Sequence, residues 1–140
     1  MGAFSRWMQH TMNNRMNRKI RSGNGTFMGT DVLILHTIGR RSGTPRDTPV
    51  SWFPGPDGSW ELVASGGTDG DPDWFRNLMA HPDQATVTLP NGDPVAVTPQ
   101  VLTGADRAQS WNSIVEAQPR YGKYQAKAGR DYNIVRLATN

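Results

Sequence analysis

The sequence VLILHTIGRRSGTPRDTPVSWF, residues 32–53, contains two β-type runs on either side of a turn rich in glycine and arginine. The runs are Val32–Ile38 and Thr48–Phe53, and both are largely apolar segments of strand length. Between them, in Gly39–Arg46, two glycines permit a tight turn and three guanidinium groups fall within seven positions. The stretch therefore predicts two strands joined by a positively charged turn.

Short β-type runs bounded by turn residues continue along the rest of the chain. Pro54–Gly58 and Asn91-Gly92 are typical of hairpin connections, so antiparallel neighbours are expected there. Six strands with few helices predict a mainly β protein, a small barrel with flanking helices, in one domain covering residues 1–140. The four further strands are expected at Ser59–Ser65, Ala85–Leu89, Val95–Leu102 and Tyr132–Ala138.

Three helices are predicted around the barrel. The first is an amphipathic N-terminal helix within residues 1–22, where five apolar side chains recur at helical spacing. The second opens at Asp71-Pro72, with the aspartate as cap, and ends before His81. The third spans about Gly104–Ala117. Its cap and its apolar face are expected at Thr103 and at Ala108, Trp111 and Val115.

Composition excludes several classes of protein. The chain has no cysteine, so it has no disulfide, no thiolate nucleophile and no cysteine-ligated metal. Its three histidines are scattered, which predicts neither a metal site nor a histidine-dependent triad. Walker and GxGxxG motifs are absent. With no apolar run of about 20 residues and no secretory signal pattern, a cytoplasmic protein is expected.

The charge is unevenly distributed. Residues 1–46 contain eight basic side chains and one acidic one, Asp31, although the whole chain has a net charge of only +3. An anionic partner is expected at this part of the chain: cofactor phosphates, lipid headgroups or nucleic acid. The methionine-rich N-terminal helix has two interpretations, contact with an anionic membrane or a lid packed on the barrel, and we favour the lid.

Three segments are candidates for chemistry. The arginines and hydroxyls of Gly39–Arg46 suit an anion, although on charge alone a solvated hairpin tip explains them equally well. In Val63–Gly67 a strand runs into paired glycines that permit close approach of a flat ring, and Trp74 or Phe75 nearby fits either a ligand contact or the core. In Pro119–Gln125 two tyrosines suit proton donation or stacking, or pack a loop onto the barrel.

Taken in order, these segments resemble the deazaflavin-dependent nitroreductase family. Its members carry T-x-G-R-[KR]-[ST]-G-x-P-R, here Thr37–Arg46, and the resemblance extends over nearly the whole chain. The further matching segments are Thr48-Pro49, Ala64–Gly67, Pro72–Leu78 and Pro119–Gln125. The resemblance implies a split β-barrel related to flavin-binding oxidases and the phosphate-bearing deazaflavin coenzyme F420.

The resemblance also implies a reaction and its residues. Reduced F420 donates a hydride from C5 to a small lipophilic acceptor, which is an enone, a quinone or a nitroaromatic. Tyr121 or Tyr124 is expected to hydrogen-bond the acceptor, with solvent as the alternative proton source. Some relatives carry tyrosines at the positions of Ser51 and Gln118, so these two residues are expected to influence the acceptor. The implied cofactor contacts are Arg40, Arg41, Ser42 and Arg46 for the anionic tail, and Asp47, Thr48, Pro49, Val63, Ala64, Ser65, Gly66, Trp74, Phe75, Arg76 and Asn77 along the rest of the molecule.

Three alternatives stay open at this point. A flavin mononucleotide oxidoreductase on the same barrel would also use an arginine-lined phosphate site. A barrel that binds single-stranded nucleic acid is disfavoured because the remaining 94 residues carry seven basic and eleven acidic side chains. A cofactor carrier without turnover is the third. The sequence leaves the oligomeric state open.

Overall fold

The structure, a computed structural model, describes residues 26–27, 29–66 and 70–140. Its main feature is a closed barrel of six antiparallel strands in the order β2-β3-β4-β7-β6-β5, in which β5 returns to pair with β2. A two-residue strand, β1, pairs with the start of β2, at Thr30 and Asp31. The strands are β1 Thr26–Phe27, β2 Thr30–Ile38, β3 Pro45–Pro54, β4 Trp60–Val63, β5 Thr86–Thr88, β6 Val95–Val101 and β7 Ile134–Thr139.

Within the described residues, three α-helices flank the barrel: α1 Asp73–Ala80, α2 Gly104–Ala117 and α3 Arg120–Ala128. The prediction of a six-stranded antiparallel barrel with flanking helices is confirmed. The predicted helix within residues 1–22 and its membrane or lid role lie outside the described residues, as does Gly67. Within the described ranges, no helix has the length and apolarity needed to span a bilayer.

Strand β2 is buried on both faces, which explains its nearly continuous apolar sequence. Leu33 and Leu35 point into the barrel with Val50 of β3, while Val32 and Ile34 are buried on its outer side. The pairing of β2 with β3 runs from Asp31 opposite Trp52 to Ile38 opposite Pro45, with each residue matched to one partner. Because side chains alternate along a strand, this register decides which residues of β3 face outward.

Two apolar clusters hold the helices on the barrel. The barrel interior includes Trp74, Phe75 and Leu78, through which α1 packs on the sheet. A second cluster lies on the outside, where Ile114 of α2 and Tyr121 of α3 pack with residues of the sheet. The sheet and connecting residues of this outer cluster are Phe53, Val63, Leu102, Tyr132 and Ile134.

A buried carboxylate ties α2 to the sheet. Glu61 is only 5% exposed, and its side chain accepts hydrogen bonds from Arg136 Nε at 2.9 Å and from Ser110 Oγ at 2.7 Å. The predicted face of α2 was therefore partly wrong: Ser110 and Ile114 are its buried residues, and Ala108 is exposed. Serine suits the buried position because its hydroxyl donates to a buried carboxylate, which must be paired within the protein.

Two other expectations were wrong. Asp71 does not cap α1, whose first flanking residue is Pro72; its carboxylate instead accepts from Asn133 Nδ2 at 3.0 Å. Pro119–Gln125 is not a loop, because most of it belongs to α3. Gly129, with φ of 70°, ends this helix in the left-handed conformation that glycine adopts without strain.

Candidate active site

The turn between β2 and β3 is closed by its own backbone. Gly39 N donates to Thr44 O at 2.8 Å, and Gly43 N donates to Gly39 O at 2.9 Å. Gly43 has φ of 69°, a conformation that favours glycine. The hydroxyls of Ser42 and Thr44 lie 2.7 Å apart on the exposed side of the turn. The turn thus presents two hydroxyl groups from a fixed backbone.

The three arginines of the turn have different surroundings. Arg40 is half-buried and locks the turn onto α1: its backbone N and its Nη1 both donate to Asn77 Oδ1, at 3.1 and 2.9 Å, and its Nη2 lies 3.2 Å from Asp73 Oδ1. Arg41 and Arg46 are exposed. The turn therefore has one structural arginine and two arginines at the surface, where they can contact an anion.

A side chain at Gly39, the first residue of the turn, would crowd the side chains of Ser42 and Arg46. A Cβ built at Gly39 would stand 2.5 Å from Ser42 Oγ and 3.3 Å from Arg46 Nε. This glycine brings a hydroxyl and a guanidinium to the same small volume. Hydroxyl and guanidinium donors around a closed turn fit a phosphate group.

The outer side of β2 and β3 forms a continuous strip that starts at this turn. Successive outward-facing cross-strand pairs are His36 with Asp47, Ile34 with Pro49, and Val32 with Ser51. Ile34 and Val32 are buried, so the accessible part of the strip is its β3 side, where Pro49 lies between Asp47 and Ser51. Arg46, opposite Thr37, projects from the other face of β3 at the turn. From Arg46 to Ser51 the strand spans about 17 Å, given the rise of an extended chain.

A row of hydrogen bonds at the turn end of the strip was not predicted from the sequence. His36 Nδ1 lies 2.7 Å from Asp47 Oδ1, and His36 Nε2 lies 2.7 Å from Thr88 Oγ1. Thr88 is only 7% exposed, so its hydroxyl orients the imidazole of His36 and is not itself accessible to a substrate. Only the registers of β3 and β5 on β2 bring the three residues together. Histidine spacing in the sequence carries no such signal.

The far end of the strip leads to the predicted tyrosines. Ser51 Oγ lies 2.8 Å from Thr30 Oγ1. Phe53, two residues further along β3, meets the ring of Tyr121 edge-on at 5.6 Å, and Tyr121 meets Tyr124 edge-on at 5.9 Å. Tyr121 is 7% exposed, whereas Tyr124 is 42% exposed. The structure therefore places Ser51, Tyr121 and Tyr124, the residues predicted to act on the acceptor, at one end of the strip.

Gln118 also lies at this end. Its Nε2 donates to Gly29 O at 3.0 Å, and its Oε1 accepts from Arg120 Nη1. The guanidinium carbon of Arg120 stands 5.2 Å above the ring of Tyr121. Gln118 thus joins the segment before β2 to the start of α3.

The remaining predicted cofactor residues fall into two groups. Ala64, Trp74 and Phe75 have their side chains in the barrel interior, and Val63 packs in the outer cluster with Tyr121. Those nearer the surface are Thr48, Pro49, Ser65, Gly66 and Arg76, while Asn77 is buried against Arg40. The aromatic residues of α1 are thus core residues, which was the alternative considered for them.

Arg130 is a second residue whose contacts were not predicted from the sequence. Its guanidinium reaches Gly70 O at 2.7 Å and Ala64 O at 3.4 Å, one at each end of the glycine segment. In the described part of the chain, no group of three acidic or histidine side chains is placed to hold a metal ion.

A comparison with protein families decides the assignment. Residues 7–139 match the model of the F420H(2)-dependent quinone reductase family, which is nearly the whole chain. The chain belongs to this family. The predictions of an oxidoreductase and of coenzyme F420 as its cofactor are confirmed. Reduction of enones and of nitroaromatics stays a prediction, because the family description names quinones as the acceptors.

Individual proteins agree with the family. An F420H(2)-dependent quinone reductase of Mycobacterium tuberculosis is 30% identical over 106 residues, which are 75% of this chain and 71% of that protein. The solved structure of an F420-H2 dependent reductase matches with a TM-score of 0.65 and 28% identity, over 76% of this chain and 93% of that one. The structure of a heme binding protein from Mycobacterium smegmatis matches with a TM-score of 0.60 and 18% identity, over 86% of this chain and 50% of that protein. At this identity the match shows the fold alone.

Proposed function

We propose that the protein reduces a quinone-like lipophilic acceptor with F420H2, and that both molecules lie along the outer strip of β3. The observation that supports this most directly is the continuity of the strip from the arginine turn to the tyrosines. A long cofactor with an anionic tail and a flat ring suits a surface with cations at one end and an apolar middle. The acceptor then lies at the end near Ser51 and the tyrosines.

The arginine turn is proposed to bind the anionic tail. Arg41, Ser42 and Arg46 supply exposed donors, while Arg40 holds the turn in place through Asn77. Asp73 neutralises part of the charge of Arg40, so the two exposed arginines contribute most of the attraction. The tail site is then separate from the acceptor site.

Gly39→Ala tests the shape of this turn. Because the added Cβ would stand 2.5 Å from Ser42 Oγ, the hydroxyl must move, and we expect the Kd for oxidised F420 to rise about tenfold. Fluorescence titration measures the Kd, and thermal unfolding reports on the fold. A Kd equal to that of the wild-type protein, with Ser42 in place, would contradict the proposed tail site.

The middle of the site is proposed to hold the ring system. Asp47, Thr48 and Pro49 follow the turn directly on β3, and Val63–Gly66 ends the neighbouring strand β4. Gly66 has φ of 88° and open space where a side chain would project, so its backbone is accessible to a flat ligand. Arg76 is proposed to contact the cofactor from the exposed side of α1, and Trp74 and Phe75 to support the site from beneath.

Bound F420H2 supplies the hydride from C5 of its ring. The protein's own contribution is to exclude water with its apolar strip, to align the acceptor and to stabilise negative charge on the acceptor oxygen. Tyr124, whose side chain is accessible, and Tyr121, whose ring is packed against Phe53, are the proposed hydrogen-bond donors. Ser51 and Gln118 are proposed to shape the acceptor end.

Replacing the two tyrosines by phenylalanine separates their roles. We expect at least one of Tyr121→Phe and Tyr124→Phe to lower kcat for a quinone about tenfold or more, because the acceptor oxygen then has one hydrogen-bond donor fewer. Steady-state turnover with F420H2 measures this. Tyr132→Phe is the matched control, since Tyr132 belongs to the same outer cluster but packs on Trp111 and is not proposed as a donor to the acceptor. If kcat is unchanged in both variants, neither hydroxyl polarises the acceptor.

The function itself is tested by binding and then by turnover. Fluorescence titration with oxidised F420, with flavin mononucleotide as the competing candidate, identifies the cofactor. A screen of quinones, enones and nitroaromatics under F420H2 then ranks the acceptors. Tight binding of F420 without turnover of any acceptor would support a carrier instead of a reductase.

A further inference from the structure

We propose that Arg130 is a positioning residue that sets the shape of the cofactor segment Ala64–Asp71. This inference rests on the proposed function, because it concerns the segment assigned above to the cofactor ring. Arg130 lies between α3 and β7, far in sequence from that segment. Its contacts are with Ala64, Gly70 and Asp71, and none of these residues belongs to the arginine turn.

The guanidinium of Arg130 contacts both ends of the segment. Nη2 donates to Gly70 O at 2.7 Å and reaches Ala64 O at 3.4 Å, while Nη1 lies 3.4 Å from Asp71 Oδ1. A single planar group thus contacts Ala64 and Gly70, which are described on either side of residues 67–69. Two backbone carbonyls and one carboxylate in this arrangement suit the fixed fork of arginine better than the single ammonium of lysine.

The guanidinium is itself held in place. Its central carbon stands 4.8 Å above the ring of Tyr132, and the side chain is 26% exposed. Neighbouring Asn133 adds to the same clamp: its Nδ2 donates to Asp71, and its backbone O accepts from Ala64 N at 2.8 Å. Arg130 and Asn133 therefore both contact the ends of the segment, and Tyr132 supports Arg130.

Each described end of the segment contains a glycine with positive φ, so contacts from outside the segment help to fix its ends. Gly66 has φ of 88° and Gly70 has φ of 124°, and glycine has the widest choice of backbone conformations in an unfolded or opened loop. A Cβ at Gly70 would lie 3.3 Å from Arg76 Nη2, so the loop end also borders a proposed cofactor residue. Holding Gly70 in place therefore also keeps the surroundings of Arg76 constant.

The test uses Arg130→Gln and Arg130→Lys in the full chain. We expect both to raise the Kd for oxidised F420 about tenfold and to raise KM for F420H2, with KM for the quinone unchanged. Arg107→Gln is the matched control. Arg107 also donates to the α3–β7 connection, at Tyr132 O, but has no hydrogen bond to the described residues of the segment 64–71. The Kd of this control variant is expected to stay that of the wild-type protein.

Each outcome decides between positioning and another role. If Arg130→Lys binds F420 with wild-type affinity and Arg130→Gln binds it weakly, only the positive charge matters, and the proposal is overturned. Wild-type affinity in both variants also overturns it. Hydrogen exchange of the amides in residues 64–71 without cofactor is expected to increase in both variants, and an unchanged rate also overturns it. If Arg130→Gln does not fold, Arg130→Lys alone decides. If the wild-type protein does not bind F420, the proposed function is refuted instead. The titration of the wild-type protein shows this before any variant is measured.

Discussion

Arg46→Ala is expected to weaken the binding of oxidised F420 by about 10- to 100-fold, the usual cost of removing a hydrogen bond to a charged group. Arg46 is exposed at the end of the turn and has its Nε beside the space that Gly39 leaves open. The ranking of quinones under saturating F420H2 should not change, because the acceptor end of the strip begins five residues later, at Ser51.

Lys127→Ala is the matched control, since it removes an exposed positive charge from α3. Its Kd is expected to stay within twofold of the wild-type value. Titrations at two salt concentrations add a second criterion. If Arg46 pairs directly with a phosphate, Arg46→Ala removes that ion pair and makes the Kd less dependent on salt. Equal weakening by both variants would show that net charge, and not the turn, attracts the cofactor.

Glu61→Met is expected to lower the free energy of unfolding by about 3–5 kcal/mol, because it leaves Arg136 without its carboxylate in a largely buried position. Glu61 lies beneath α2, where Arg136 Nη2 stands 2.8 Å from its Oε2. Urea unfolding followed by circular dichroism measures the change. Glu116→Met, on the exposed side of the same helix, is the control and should stay within about 0.5 kcal/mol.

The double variant Glu61→Met with Arg136→Met identifies the cause. Removing both charges avoids an unpaired buried ion, so its destabilisation is expected to be smaller than that of Glu61→Met alone. A destabilisation equal to the sum of the two single variants would mean that the ion pair has no coupling and that packing alone explains the effect.

Local sequence was sufficient for the strands and for the arginine turn. The apolar runs and the turn residues of β2 and β3 predict both strands and the turn between them, whereas the anion site at this turn stays a prediction. Helix α3 was missed because only Tyr121 on it is buried and because Gly122 interrupts its pattern. Amphipathic periodicity is weak when one side chain provides the contact.

Contacts between distant residues were not predictable in the same way. Ser110 and Arg136 are 49 and 75 residues from Glu61, and Arg130 is 66 residues from Ala64, so no local pattern shows that these groups meet. The same holds for His36, which meets Thr88 only where the barrel closes. The residues proposed to line the site were indicated by a family motif, whereas the residue proposed to hold it in shape is recognised only from tertiary structure.

The closure of the barrel has a kinetic consequence. β5 joins β2 through only three residue pairs, and the His36–Thr88 hydrogen bond beside them links positions 52 apart in the chain. Pairings between such distant segments form slowly, because the intervening chain must first be ordered. Trp60 of β4 pairs with Leu137 of β7 across a still longer separation, so a cofactor that binds the closed barrel stabilises a state in which both pairings are made. Bound F420 should therefore lengthen the lifetime of the folded protein by slowing its unfolding, with little effect on how fast the chain folds.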